Sequence, residues 1–172
     1  RAFLRVPPMR GRGVGIITIA GAGGIMAIDA CEKYGLRLGK PSPETLEKIA
    51  RLAPQWQTLE NPADIWPAFM IARHRLDEVF HTIADAFLAD PDIHGIIIVS
   101  HAALVAGAPE FFQRARRFDK PVLCWLYGSG MEQLIDDIEG KGETAVYPNV
   151  ERAVRALSRL REYHEYLSGE RR

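Results

Sequence analysis

An apolar stretch runs into a glycine-rich turn and then directly into an amphipathic helix between residues 13 and 26. The first N–H groups of a helix lack intrahelical acceptors and its dipole is positive there, so this arrangement predicts an anion site. Glycines let the backbone turn tightly and approach a ligand closely. No lysine follows Gly24, and the glycine spacing is not that of a dinucleotide-binding loop. Two interpretations of the glycine loop remain, which are contact with a phosphate or phosphoryl group and tight packing of the helix on the strand without any ligand.

The rest of the chain alternates short apolar runs with helical patterns. Continuous apolar runs such as residues 95–99 and 121–127 are typical of parallel strands buried on both faces. Five strands are predicted, at 14–19, 36–38, 95–99, 121–127 and 144–147. Six helices are predicted, at 24–34, 43–51 with Ser42 as cap, 72–89, 108–118, 131–138 and 149–167, and residues 54–67 form an irregular surface loop.

This alternation predicts the fold class. A repeated strand–helix order requires a parallel sheet with right-handed crossovers, with helices on both faces. We therefore expect an α/β, flavodoxin-like three-layer sandwich whose five-stranded parallel sheet has the order 2-1-3-4-5. In that order, ligands collect at the carboxyl ends of strands 1 and 3.

Composition limits the partners. The 172 residues are 47% hydrophobic, which fits one domain, and 22 basic residues balance 22 acidic ones. A formal charge of zero gives no general surface for nucleic acid or for an anionic membrane, so we expect small molecules or proteins as partners. No apolar run approaches the roughly 20 residues that span a bilayer. Cys31 and Cys124 are expected to pack as small apolar groups, which fits the cytoplasm.

The N-terminal residues predict a domain boundary. A lead-in rich in Pro and Arg at residues 6–12 is typical of a linker. We therefore divide the chain into a linker from a missing upstream domain at 1–12, the flavodoxin-like domain at 13–167 and a tail at 168–172. Whether the domain forms an oligomer is left open.

Four motifs carry a resemblance to a known family. They are GIITIAGAGG at residues 15–24, NPAD at 61–64, KPVL at 120–123 and VYPNVERAV at 146–154. In this order and spacing the chain resembles a succinyl-CoA-synthetase-like flavodoxin domain. It is similar to the third domain of nucleoside-diphosphate-forming acyl-CoA synthetases, the ADP-forming acetate–CoA ligase family, over about residues 10–167.

The resemblance implies a function. In that family a carboxylate is activated as an acyl phosphate and passed to CoA, and the phosphoryl group is carried on a histidine of another domain before it reaches ADP. The complete enzyme would use CoA, ATP or ADP, and Mg²⁺, while this domain alone would bind no cofactor and be inactive. Its implied partners are the CoA-binding, histidine-bearing and ATP-grasp domains.

The resemblance also implies site residues, though no catalytic residue is assigned within this chain. The phosphohistidine would meet the backbone N–H groups of the glycine loop, with Thr18 nearby. The donors would be Gly21, Ala22, Gly23, Gly24 and Ile25. An Asn that often stands at position 19 or 20 in the family is absent here. The loop residues Asn61 and Asp64 would either line the site or hold the turn and cap backbone amides.

His101 has several interpretations. The segment SHAALVAG at 100–107 resembles the family's phosphohistidine segment, but it follows strand 3 and lacks the glycine after the small residue, so we do not assign it that role. The end of strand 3 borders the glycine loop, so His101 is a candidate phosphate contact, with an ordinary loop histidine as the alternative. No metal site is predicted, since His74 and His81 are seven residues apart rather than four.

Two other functions compete with the ligase. A regulatory or assembly domain that keeps the fold without the chemistry, as in fusions to acetyltransferases, would explain the absent Asn. A flavin-binding carrier shares the fold, but its phosphate loop would usually contain Ser and Thr, whereas this loop contains Gly and Ala.

Overall fold

A six-stranded parallel sheet forms the centre of the structure, a computed structural model that describes residues 1–72, 75–106 and 109–169. The strands are β1 (Gly13–Thr18), β2 (Arg37–Leu38), β3 (Ala63–Asp64), β4 (Gly95–His101), β5 (Val122–Tyr127) and β6 (Ala145–Tyr147). The main order is β2-β1-β4-β5-β6. This is the predicted order, since β4, β5 and β6 are the third, fourth and fifth predicted strands.

Strand β3 was not predicted. It lies within residues 54–67, which were expected to be irregular, and it pairs with the end of β1 through Ile17↔Ala63 and Thr18↔Asp64. Strand β2 pairs with the beginning of the same edge through Gly13↔Arg37 and Val14↔Leu38. Two strands of two residues each therefore share one edge of β1, which is too little apolar pattern for sequence analysis to detect.

Helices cover both faces of the sheet. The helices are α1 (Gly21–Lys33), α2 (Pro43–Ala50), α3 (Trp66–Ala72), α4 (Leu76–Ala89), α5 (Ala102–Ala106), α6 (Pro109–Arg117), α7 (Glu132–Gly140) and α8 (Val150–Leu167). One apolar core lies under α1 and α8, and the other lies under α2 to α7. The two cores are separated by the sheet, which confirms the three-layer α/β class.

Local sequence signals set several helix ends. Ser42 caps α2, its hydroxyl accepting from the N–H of Thr45 at 3.2 Å, and Pro43 follows at the first helical position as expected. Asn149 caps α8 in the same way, accepting from the N–H of Arg152 at 2.9 Å. The predicted helix at 72–89 begins later in the structure, because α3 ends at Ala72 and α4 begins at Leu76. The predicted helix at 108–118 is confirmed by α6 at 109–117, with residue 108 outside the described residues, and the separate helix α5 before it was not predicted.

Residues 1–12 pack on the sheet. Residues 2–4 form a short 3-10 helix, and Ala2, Val6 and Met9 are buried in the core under α1 and α8. The side chain of Arg1 forms an ion pair with the buried carboxylate of Glu139. The assignment of this segment as an interdomain linker stays a prediction, but its apolar side chains contribute to the core of this domain.

Both cysteines are buried thiols. Burial raises the pKa of Cys31 and that of Cys124 to about 12. At neutral pH neither forms the reactive thiolate, so both act as small apolar side chains. Among the described residues, no helix is long and apolar enough to cross a lipid bilayer.

His94 joins the start of β1 to the loop before β4. The side-chain Nδ1 of His94 accepts from the backbone N–H of Gly13 at 3.2 Å, and the backbone N–H of His94 donates to the carbonyl of Gly13 at 2.7 Å. The ring lies so close to Gly11 that a Cβ there would be 2.5 Å from the ring. Burial lowers the pKa of His94, and the neighbouring charge of Asp92 only partly opposes this. The ring is therefore held as a neutral acceptor.

We predict that His94 makes stability fall as the pH decreases from 7.5 to 5. The pKa of His94 is lower in the folded than in the unfolded state, so the unfolded state binds more protons below about pH 6.5 and acid favours unfolding. Urea unfolding at a series of pH values measures the slope. The variant His94→Asn keeps an acceptor near Gly13 but does not titrate, so its slope over this range should be smaller. An unchanged slope would contradict the prediction.

Candidate functional site

The glycine segment forms the first turn of α1. Helix α1 begins at Gly21, three residues earlier than predicted, and Ala20 precedes it in an extended conformation. The hydroxyl of Thr18 accepts from the N–H of Ala20 at 3.1 Å and donates to its carbonyl at 2.8 Å. Thr18 therefore fixes the turn between β1 and α1, and its hydroxyl is occupied in doing so.

The five predicted phosphate donors are not equivalent. The N–H groups of Gly23 and Gly24 both donate to the carbonyl of Ala20, at 2.9 and 3.3 Å. Ile25 lies deeper in the helix, where regular geometry directs its N–H to the carbonyl four residues earlier. Gly21 and Ala22 are exposed, and within the described part of the chain their N–H groups contact no acceptor. The predicted anion site would therefore depend on these two amides.

Gly23 and Gly24 serve the packing of α1 on the sheet. A Cβ at Gly23 would lie 2.7 Å from Cγ1 of Val99, and one at Gly24 would lie 3.2 Å from Cβ of Pro62. Both glycines are buried, whereas the nearest atom to a Cβ at Gly21 is Oδ2 of Asp64 at 3.7 Å. The glycine pattern thus has two physical causes. Its buried half brings the helix close to the sheet, and its exposed half leaves the helix terminus accessible.

Asn61 is a structural residue of the sheet. Its Oδ1 accepts from the N–H of Ile16 at 2.9 Å, and its Nδ2 donates to the carbonyls of Val14 and Gly39, each at 2.8 Å. The residue is 9% exposed, and two of its three contacts are to β1 while the third is to Gly39, directly after β2. Of the two interpretations of this residue, the geometry supports the one in which it holds the backbone.

Asp64 lies beside the start of α1. Its Oδ1 accepts from the N–H of Trp66 at 3.1 Å, which caps α3, while Oδ2 faces Gly21. Its carboxylate also acts on Tyr127, whose pKa is raised first by burial and then by the charge of Asp64. Asp64 therefore hydrogen-bonds backbone and also lies beside the α1 terminus, so its geometry is compatible with both interpretations.

His101 ends β4 on the face that carries α1. It stands opposite Tyr127 in the register of β4 and β5, and the two rings meet edge to face with centroids 6.2 Å apart. Side chains alternate along a strand, so His101 shares its face with Val99, which contacts Gly23. Its ring also covers Gly128, where a Cβ would be 2.7 Å from Nε2. The site thus combines the α1 terminus with Asp64, Tyr127 and His101.

Tyr127 and Gly128 were missed by sequence analysis. The available signal was their position at the carboxyl end of the strand next to β4, where ligands collect in such sheets. Gly128 has a φ of +136°, a conformation that favours glycine and lets the chain turn beneath the imidazole of His101.

His74 and His81 were the two histidines considered for a metal site. His74 lies outside the described residues, and Nδ1 of His81 contacts the guanidinium of Arg114 at 2.8 Å. Across residues 1–72, 75–106 and 109–169, no three His, Cys, Asp or Glu side chains are grouped so that they could hold a metal ion.

Comparison with known proteins identifies relatives. No protein-family model matches the chain. It is 31% identical over 173 residues to the alpha subunit of acetate–CoA ligase [ADP-forming] I from Pyrococcus furiosus, covering 96% of this chain and 36% of the relative. It is 27% identical over 168 residues to acetate–CoA ligase [ADP-forming] II from Archaeoglobus fulgidus, covering 95% of this chain and 24% of the relative. The chain therefore spans about a quarter to a third of the relatives' length.

A solved structure supports the fold. A crystal structure of a protein from Pyrococcus horikoshii OT3 matches with a TM-score of 0.80 at 25% identity, covering 98% of this chain and 39% of that one. The match extends over nearly the whole chain. The resemblance noted from the four sequence motifs is confirmed.

We predict that Asn61→Ala lowers the free energy of unfolding by about 2–4 kcal/mol, because the buried N–H of Ile16 and the carbonyl of Gly39 lose their partner. Chemical denaturation measures the loss. Asn61→Asp is the matched control, since it keeps the acceptor for Ile16 but sets a charge against two carbonyls, and it should destabilise at least as much. A change below about 0.5 kcal/mol in Asn61→Ala would refute the bridging role.

We further predict opposite effects at two neighbouring glycines. Gly23→Ala should destabilise the fold by about 1–3 kcal/mol, because its methyl group would lie 2.7 Å from Cγ1 of Val99 and in tight contact with the hydroxyl of Thr18. Gly21→Ala should leave stability unchanged or raise it by up to about 1 kcal/mol, because its methyl group has space and alanine favours helix. Thermal unfolding followed by circular dichroism compares them. Equal losses in both variants would contradict this division.

Proposed function

From the premise that the chain is homologous to part of the ADP-forming acetate–CoA ligases, we propose that it is one domain of a nucleoside-diphosphate-forming acyl-CoA synthetase. Such an enzyme converts a carboxylate, CoA and ATP into acyl-CoA, ADP and phosphate. In this proposal the domain is inactive alone and works with CoA-binding, histidine-bearing and ATP-grasp domains, which supply the sites for CoA, nucleotide and Mg²⁺. Its own contribution is the N-terminus of α1, presented to a phosphohistidine.

The amides of Gly21 and Ala22 suit a phosphoryl group that must move on. They offer hydrogen-bond donors to a ligand at fixed positions, at the positive end of a 13-residue helix. Backbone amides are not nucleophiles, so they stabilise the charge without accepting the phosphoryl group themselves. A side chain such as lysine or histidine at this point would compete for the group or follow its own titration.

Asp64 favours phosphohistidine over free phosphate. Its carboxylate faces Gly21, so a plain dianion at the helix terminus meets a negative charge. Phosphohistidine brings an imidazole ring as well as the phosphoryl group, and a carboxylate beside the ring favours its protonated form by charge attraction. A protonated imidazole is the better leaving group when the N–P bond breaks. The observation that carries the proposal is that the backbone N–H donors at Gly21 and Ala22 lie beside a carboxylate acceptor, Asp64.

We predict that Gly21→Pro weakens binding of phosphoimidazole, a mimic of phosphohistidine. Proline removes the N–H of residue 21, fits the first position of a helix, and follows Ala20 in the extended conformation that proline requires. Loss of one charge-assisted hydrogen bond of about 1.5–3 kcal/mol weakens binding roughly tenfold or more. Amide chemical shifts of Ala22 and the ring resonances of His101 in an NMR titration measure the affinity.

Two control variants sharpen the test. Gly21→Ala keeps the N–H and should bind phosphoimidazole as the natural chain does. Asp64→Asn keeps an acceptor for α3 but removes the charge, so it should bind inorganic phosphate more tightly and phosphoimidazole less tightly. If the amides of Gly21 and Ala22 show no chemical-shift change on addition of phosphoimidazole or phosphate, the helix terminus has only a packing role. A regulatory or assembly domain is then the better description. A specific response to FMN would instead support the flavin carrier.

A further inference from the structure

A cluster of positive charge lies beside β6, the edge strand farthest from β2. Four arginines, Arg1, Arg152, Arg155 and Arg159, surround a pocket of about 290 Å³, with Tyr147 and Pro148 completing its wall. Tyr147 ends β6, and β4 and β5 lie between β6 and the strand that precedes α1. The pocket is therefore separate from the α1 terminus, and the proposed function does not use it.

The arginines repel one another along α8. Arg152 and Arg155 are three residues apart and Arg155 and Arg159 are four apart, the two spacings that place side chains together on a helix surface. Arg152 also lies in the first turn of α8, where the helix dipole disfavours positive charge. The chain has no net charge, so this clustering does not follow from an excess of basic residues. It is unfavourable both through the repulsion between like charges on the helix surface and through the helix dipole.

The acidic groups nearby do not neutralise the pocket. Glu139 pairs with Arg1, and Glu162 pairs with Arg159. The charge of Glu151 is within reach of Arg155, but its Oε1 already accepts from Lys33 at 2.7 Å and from Tyr34 at 2.8 Å.

Two guanidinium groups of the pocket remain unpaired. Within the part of the chain that the structure describes, those of Arg152 and Arg155 make no hydrogen bond or ion pair. Both side chains belong to exposed residues.

From this pocket we infer a binding site for a small molecule that carries at least two phosphate charges. Guanidinium groups match phosphate oxygens with paired N–H donors, and several of them converging on one concave site suit a diphosphate better than a single charge. The volume is that of a small ligand group, at the lower end of ordinary ligand sites. A bound diphosphate would remove the repulsion among the arginines, so binding stabilises α8.

Inorganic pyrophosphate is the probe, titrated into the chain by isothermal calorimetry. The double variant Arg152→Ala/Arg155→Ala should bind at least about tenfold more weakly, since two charge-assisted contacts are lost. Arg116→Ala/Arg117→Ala removes the same charge from α6, on the other face of the sheet, and should bind within about twofold of the natural chain. Arg152→Lys/Arg155→Lys keeps the charge and should lie between the two, because lysine lacks the paired donors.

Thermal unfolding gives a second measurement that does not depend on heat signals. Pyrophosphate should raise the melting temperature of the natural chain and of the α6 variant, but not that of Arg152→Ala/Arg155→Ala. Without ligand, that variant should melt no lower than the natural chain, because a repulsion has been removed. ADP and inorganic phosphate as further titrants distinguish a nucleotide diphosphate from free phosphate as the source of the charge.

Specific outcomes would overturn the inference. They are the absence of saturable pyrophosphate binding by the natural chain, and equal weakening by the α6 variant, which would indicate diffuse attraction. The Gly21→Pro variant separates this site from the proposed function, since it should bind pyrophosphate normally. If pyrophosphate binding were lost in Gly21→Pro, the ligand would belong to the α1 terminus instead.

Discussion

One side-chain amide holds the sheet edge on which the candidate site is built. Strand β2 covers the start of β1 and β3 covers its end, and Asn61 fills the gap between them by bonding as a peptide group would. Because β3 follows within two residues, this contact also fixes where Asp64 emerges. The carboxylate beside α1 therefore owes its position to a buried amide whose hydrogen bonds all go to the backbone.

The neighbourhood of α1 shows how packing and binding share a short sequence. Close approach of the helix to the sheet requires the absence of side chains at Gly23 and Gly24, and the turn before it occupies the hydroxyl of Thr18. What remains for a ligand is the first exposed part of the helix, bordered by Asp64, Tyr127 and His101. In the proposed function, this motif of ten residues would contribute only two exposed amides to ligand binding, while its other residues position them.

The sequence pattern predicted the fold class and the strand order because long apolar runs such as β4 and β5 are typical of strands buried on both faces. It missed β3, since two residues after a proline give no periodicity, and their pairing depends on Asn61 far from β1 in sequence. It placed the start of α1 too late because glycine disfavours helix, and here tertiary contact with Val99 outweighs that preference. The pairing of Tyr127 with His101 is likewise a property of register, which no local pattern encodes.

The lengths of the outer strands bear on how the protein behaves in concentrated solution. Strand β2 has two residues and β6 has three, while the long apolar strands lie between them. An edge strand with a row of unpaired backbone groups is a template for aggregation, and a short edge offers a second chain few places to pair. The apolar run of β4, which as a free segment would resemble an amyloid-forming sequence, is enclosed by neighbours on both sides. Protection of β4 from pairing with a second chain therefore depends on the short outer strands staying in place.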